Sequence, residues 1–146
     1  EGATFLVLEE REAARARGAA IHAEVLGAAW GAIPVAPHTA PAGRRDKRAI
    51  ARRALDQAGV EAVSLARCYG SGNGDPALDD WEQRLLAADG VRDPVSLAPL
   101  FGQHGGLGAL RVAAAALDAR AGRAPALVHG IARGGCRTAL VVGQAA

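Results

Sequence analysis

Residues 100–117 read LFGQHGGLGALRVAAAAL, and this stretch decides the fold. Glycines at 102, 105, 106 and 108 lead into a run that is apolar almost all round from Ala109 to Ala119, with Arg111 as its one early charge. A helix with no polar face is normally buried on every side. Small side chains let neighbouring backbones approach closely. The run therefore predicts a helix threaded through a layered domain, ended near Gly122. The glycines ahead of it leave N–H groups at the helix start, where an acyl carbonyl or an anion can be held.

Working outward, Pro76–Ala88 (PALDDWEQRLLAA) predicts a helix, with proline in its first turn and acids early. The preceding YGSGNGD, Tyr69 to Asp75, is a glycine-rich turn after a strand predicted over Val60–Leu65. It matches neither the P-loop spacing, which carries a lysine, nor the dinucleotide fingerprint, so a phosphate cradle is a minor reading. Arg44–Gly59 predicts an amphipathic helix whose apolar face is Ile50, Ala51, Ala54, Leu55 and Ala58. Its basic cluster of Arg44, Arg45, Lys47 and Arg48 is either a solvated face or a contact for an acidic partner.

Near the start, Ala3–Leu8 (ATFLVL) predicts a buried strand. Glu9–Arg17 predicts a short helix, acidic first and basic last, closed by Gly18. Ala20–Gly27 alternates apolar and polar and predicts a second strand, with His22 and Glu24 on one face. Ala28–Gly43, with Pro34, Pro37 and Pro41, predicts an irregular connection. Toward the end, Ala126–Gly130 and Thr138–Val142 predict two strands joined through a Gly134-Gly135 reversal. The sum is an α/β layered domain with a mixed five-stranded sheet and an antiparallel end.

Composition bounds what the chain does. Its 146 residues make one ordinary domain, half of them hydrophobic and only 3% aromatic, so the core is aliphatic. A net charge of +2, with arginines spread among acids, does not suggest nucleic acid. Two cysteines, Cys68 and Cys136, make neither a disulfide framework nor a metal-ligand pattern, and a reduced, cytoplasmic setting fits them. No apolar run reaches the length that spans a bilayer. Methionine is absent even at position 1. The expectation is a piece of a longer chain.

With these pieces in place, the chain resembles the C-terminal half of a β-ketoacyl synthase of the thiolase-like fold. EGATFLVLEEREAARARGAAIHAEVLG is similar to the family's segment that begins Gly-Glu-Gly-Ala and runs through a strand and short helix to a second strand. YGSGNGD sits where the family has His-Gly-Thr-Gly-Thr and a following Asp. LFGQHGGLGAL sits at Gly-His-x-x-Gly-Ala-Ala-Gly, and GIARGGCRTALVV at Ser-Phe-Gly-Phe-Gly-Gly-Thr-Asn. The shared glycine framework covers Gly70, Gly72, Gly102 and Gly105.

The resemblance implies a cysteine nucleophile, in the N-terminal half absent from this chain, and two histidines that act on a malonyl thioester. Tyr69 stands at the first histidine position and Gln103 at the second. His104 lies one residue late, and a slip of the alignment would give it the role. Arg133 replaces a phenylalanine that gates the acyl pocket, beside Gly134 and Gly135, and Cys136-Arg137 replaces Thr-Asn. A tyrosine is a poor proton-transfer group at neutral pH.

Loss of both imidazoles on a retained scaffold implies a non-catalytic, chain-length-factor-type subunit. Its implied partners are the missing N-terminal half, an active ketosynthase and an acyl carrier protein, in polyketide or fatty-acyl elongation, with no cofactor, metal, nucleic acid or membrane. The alternatives are a divergent active β-ketoacyl-ACP synthase fragment using His104, and an α/β interaction domain without acyl chemistry.

Overall fold

The computed structural model describes residues 2–33, 36, 50–132 and 134–145. Arg133 and the basic cluster Arg44–Arg48 lie outside the described residues. Helix α1 spans Arg11–Ala16, α2 Ile50–Ala58, α3 Pro76–Ala88, α4 Ala98–Phe101 and α5 Leu107–Arg120. Strands are β1 (Glu24–Ala32), β2 (Arg67–Tyr69), β3 (Ala126–Ile131) and β4 (Cys136–Gly143).

They form one mixed sheet of order β1-β4-β3-β2, antiparallel except for the parallel β2–β3 pair. The β3–β4 hairpin turns through Gly134 and Gly135, whose φ values of 84° and 81° suit glycine. Its closing bonds run from Gly135 N–H to the Ala132 carbonyl and from Ala132 N–H to the Cys136 carbonyl.

Alternation along the strands builds two cores. Cys68, Leu127, Ala139 and Val141 point to one face, where Ile50, Ala51, Ala54 and Leu55 of α2 and Leu86 of α3 cover them. Tyr69, Ala126, Val128 and Val142 join the other core, with Leu107, Ala115 and Ala119 of α5. The α/β layering and the mixed sheet are as the sequence predicts. The α2 burial pattern also matches its expected apolar face. On β1, a Cβ at Gly27 would stand 2.2 Å from the Ala54 carbonyl oxygen of α2, so that crossing requires glycine.

The corrected expectations concern the sheet, its lead-in strands and α5. Among the described residues the sheet has four strands, not five. Ala3–Leu8 lies outside the sheet, with Phe5 92% and Val7 88% exposed, because among the described residues no strand pairs with it to take its backbone groups. Val60–Leu65 is not a strand. Ser64 donates through N–H and Oγ to the Glu61 carbonyl, closing a 3-10 turn over Ala62–Ser64, and pairing with β3 begins only at Arg67. The predicted 20–27 strand likewise slides to Glu24–Ala32, where β4 is available.

Helix α5 is not buried all round. Its buried residues are Leu107, Arg111, Ala115, Asp118 and Ala119, a single stripe at helical spacing, while Leu117 is 62% exposed. Its inner stripe also carries two buried charges, Arg111 and Asp118, beside Leu107, Ala115 and Ala119.

Candidate functional site

The glycine-rich turn that follows β2 is fixed from three sides. On α3, Glu82 accepts from Ser71 N–H through both carboxylate oxygens at 2.8 Å. Asp79 accepts from Asn73 N–H at 2.9 Å and Gly74 N–H at 3.0 Å, one on each oxygen. Asp75 caps α3 and accepts from Ala77 N–H and Leu78 N–H. On β3, the Ser71 hydroxyl donates to the His129 carbonyl at 3.2 Å and accepts from Ile131 N–H at 2.8 Å. From α5, Arg111 Nη1 reaches Ser71 Oγ at 3.4 Å.

Beneath the turn lies a buried charge cluster that sequence reasoning missed. His129 Nδ1 pairs with Glu82 Oε1 at 2.6 Å, with both side chains at most 3% exposed. Burial lowers the Arg111 guanidinium, and the Glu82 charge opposes that shift. Arg111 Nε and Trp81 Nε1 have no hydrogen-bond partner among the described residues. Next to them, Arg137 lies over the Trp81 ring at 5.7 Å. The signals were present. His129 interrupts the apolar run of β3, and Glu82 sits one turn from Leu78 and Leu86. A buried polar group on an apolar stripe requires a partner.

The cluster is not a nucleophilic relay. Ser71 Oγ meets the main-chain carbonyl of His129, whereas the imidazole faces Glu82. Cys68 is buried, and burial together with the Glu82 charge pushes its thiol up to about 12, far from a reactive thiolate.

The sequence-predicted residues separate. Tyr69 donates its hydroxyl to Asp118 Oδ2 at 2.7 Å, and Asp118 is also held by Arg123 at 2.6 and 2.9 Å and by Arg67 at 3.3 Å. Burial and then the Asp118 bond push the phenol up to about 12. Gln103 lines a cavity of about 380 Å³ with Gly70 and Gly72 of the turn, whereas Tyr69, His104, Gly102 and Gly105 do not border it. His104 stands at the start of α5. Its Nδ1 accepts from Gly106 N–H at 3.2 Å and its carbonyl from Leu107 N–H at 3.1 Å, so two of the helix-start donors are satisfied within the chain. Gly134, Gly135 and Cys136 lie at the hairpin, away from the cavity lining.

On the predicted strand's shared face, Arg120 lies 3.4 Å from His22 Nδ1, and Arg11 binds Glu24 at 3.2 Å. No cluster of metal-ligating side chains occurs among the described residues. No helix among them is long and apolar enough to cross a membrane.

The chain is similar to ketosynthases in both sequence and fold. It is 33% identical over 137 residues to the actinorhodin polyketide β-ketoacyl synthase 1 of Streptomyces coelicolor, covering 90% of this chain and 28% of that protein. It is 42% identical over 82 residues to the 3-oxoacyl-[acyl-carrier-protein] synthase 2 of Staphylococcus aureus, covering 54% of this chain and 20% of that one. Among solved structures, the ishigamide ketosynthase/chain length factor superposes with a TM-score of 0.77 at 26% identity, over 92% of this chain and 41% of that chain. The chain thus spans less than a third of the length of these curated relatives. No family model matches it.

Proposed function

We propose that this chain is the C-terminal, ketosynthase-like part of a non-catalytic subunit of the chain-length-factor kind. In this reading it pairs with an active β-ketoacyl synthase during polyketide or fatty-acyl elongation. Its likeness to ketosynthases supports the scaffold, and the surroundings of Tyr69 and Cys68 support the inactivity.

The observation that carries the reading is the bond from Tyr69 to Asp118. At the position where the resemblance expects a proton-moving imidazole, this chain has a phenol whose single proton is given to a buried carboxylate. Gln103, at the second position, reaches the cavity but is no acid or base near neutral pH. The buried, protonated Cys68 thiol supplies no nucleophile either.

An apolar surface supports a partner. Phe5, Val7 and Leu8 of the N-terminal segment, Trp30 of β1 and Leu117 of α5 are all exposed. A second cavity of about 910 Å³ lies between that segment and Val112 and Ala116 of α5. Single exposed apolar side chains, such as Trp30 and Leu117, are ordinary, but Phe5, Val7 and Leu8 line this one cavity together, and such a grouping marks an interaction face. The occupant in this reading is another thiolase-like half, and the acyl carrier protein is the partner that delivers the chain.

The test is malonyl decarboxylation on the acyl carrier protein. The purified chain is inactive alone, and an active ketosynthase gains chain-length control when it is added. Turnover by the chain alone refutes the proposal. A divergent active enzyme is favoured only by the place of His104 at the start of α5. Loss of such turnover in His104→Ala would establish it.

A further inference from the structure

We propose that Asp79 makes the cavity beside the glycine turn anion-excluding, because its carboxylate occupies the turn's own anion-holding N–H groups. The turn offers consecutive N–H donors at Asn73 and Gly74, an arrangement that holds small anions in other proteins. Here each donor is taken by one oxygen of the same carboxylate, at 2.9 and 3.0 Å. Ser71 N–H is taken in the same way by Glu82. The chain therefore carries an internal stand-in for the anion that such a turn would bind.

The two carboxylates differ in how their charge is met. Glu82 faces His129 at 2.6 Å and acts on the nearby Arg111. Asp79 has only backbone N–H partners: among the described residues no arginine, lysine or histidine pairs with it. Asp79 and Glu82 both line the cavity of about 380 Å³, beside Gln83, Ser96 and Gln103. Its wall thus combines neutral amide and hydroxyl groups with a carboxylate that pairs with no cationic side chain among the described residues. Ligands bearing a carboxylate or phosphate meet like charge and find the donors filled. Neutral amides meet groups that hydrogen-bond them. Asp79 is a specificity-determining residue that selects by charge, whether or not the chain is part of a ketosynthase.

The experiment follows the Asn73 and Gly74 amide resonances of the whole chain, titrated with malonate, inorganic phosphate or malonamide, which copies malonate without its charge. In the native chain malonate and phosphate leave both resonances in place. In Asp79→Ala both resonances shift saturably, with anion affinity raised at least about tenfold, while malonamide distinguishes the two forms far less. Native binding of the anions as tight as the variant's overturns the proposal. So does a folded variant that binds neither anion, or a malonamide gain equal to that of malonate, which would indicate space rather than charge. Should Asp79→Ala lose its dispersed spectrum, Asp79→Asn removes the charge at constant shape. Its failure to gain anion affinity also overturns the proposal.

Discussion

Replacing Tyr69 with phenylalanine isolates one oxygen atom. The ring is 5% exposed and its packing is retained, so the loss is the 2.7 Å bond to Asp118. A buried hydrogen bond to a charged acceptor contributes about 1.5–3 kcal/mol net. Asp118 is not orphaned by the change, because Arg123 stays at 2.6 Å and Arg67 at 3.3 Å. Those arginines are 58% and 41% exposed, so their pairing is partly screened and only softens the loss. The expected cost is therefore at the lower end, about 1.5–2 kcal/mol. For a chain of this size that lowers Tm by about 3–8 °C.

The assay is urea unfolding followed by circular dichroism, with the midpoint falling and the slope unchanged. Asp118→Asn and the double variant complete a cycle in which the two changes are non-additive. A cost below about 0.5 kcal/mol, or full additivity, refutes the idea that the phenol is committed to Asp118. Either result would free Tyr69 for a role in acyl chemistry.

Further outcomes follow from the same geometry. Burial raises Asp118, but the bonds from Tyr69 and Arg123 and the charges of Arg123 and Arg67 outweigh it and hold the carboxyl below its usual range. Its stabilisation is complete above the unfolded value of about 4 and lost as pH falls through the lower folded value; the gap between native chain and Asp118→Asn in acid-unfolding curves shrinks there. An equal gap at all pH values contradicts this. At pH 8 a thiol reagent labels exposed Cys136 and spares Cys68 until the chain is unfolded, as mass spectrometry of the peptides reads directly. Gly27→Ala drives a methyl into the Ala54 carbonyl oxygen and costs about 3 kcal/mol or more in the same urea assay; a near-neutral result would show that β1 and α2 are free to separate.

Several elements were legible because their causes are local. For α3, Asp75, Pro76 and the following acids specify a start, and the observed helix spans the predicted Pro76–Ala88. The α2 apolar face and the Gly134-Gly135 reversal are equally local, and the structure keeps both. The misses share a cause as well. Ala3–Leu8 has strand chemistry but no pairing strand among the described residues, and Val60–Leu65 yields to a side-chain turn at Ser64. At the site, the glycine turn could be picked out by residue type, and the Tyr69 and Gln103 positions only through the family resemblance. The internal filling of that turn's donors could not, since Asp79 and Glu82 read simply as helix acids.

By itself, then, the sequence determined the α/β layering, the bounds of α3 and the Gly134-Gly135 reversal, the last two set by neighbours within one or two turns of chain. Tertiary structure alone decided which charges lie inside. Arg111, Asp118, Glu82 and His129 are buried because partners from distant segments meet them: Ser71 for Arg111, Tyr69 and Arg123 for Asp118, and Glu82 and His129 for each other. Burying a charge is tolerated only where such a partner arrives, and its arrival depends on the whole chain's path.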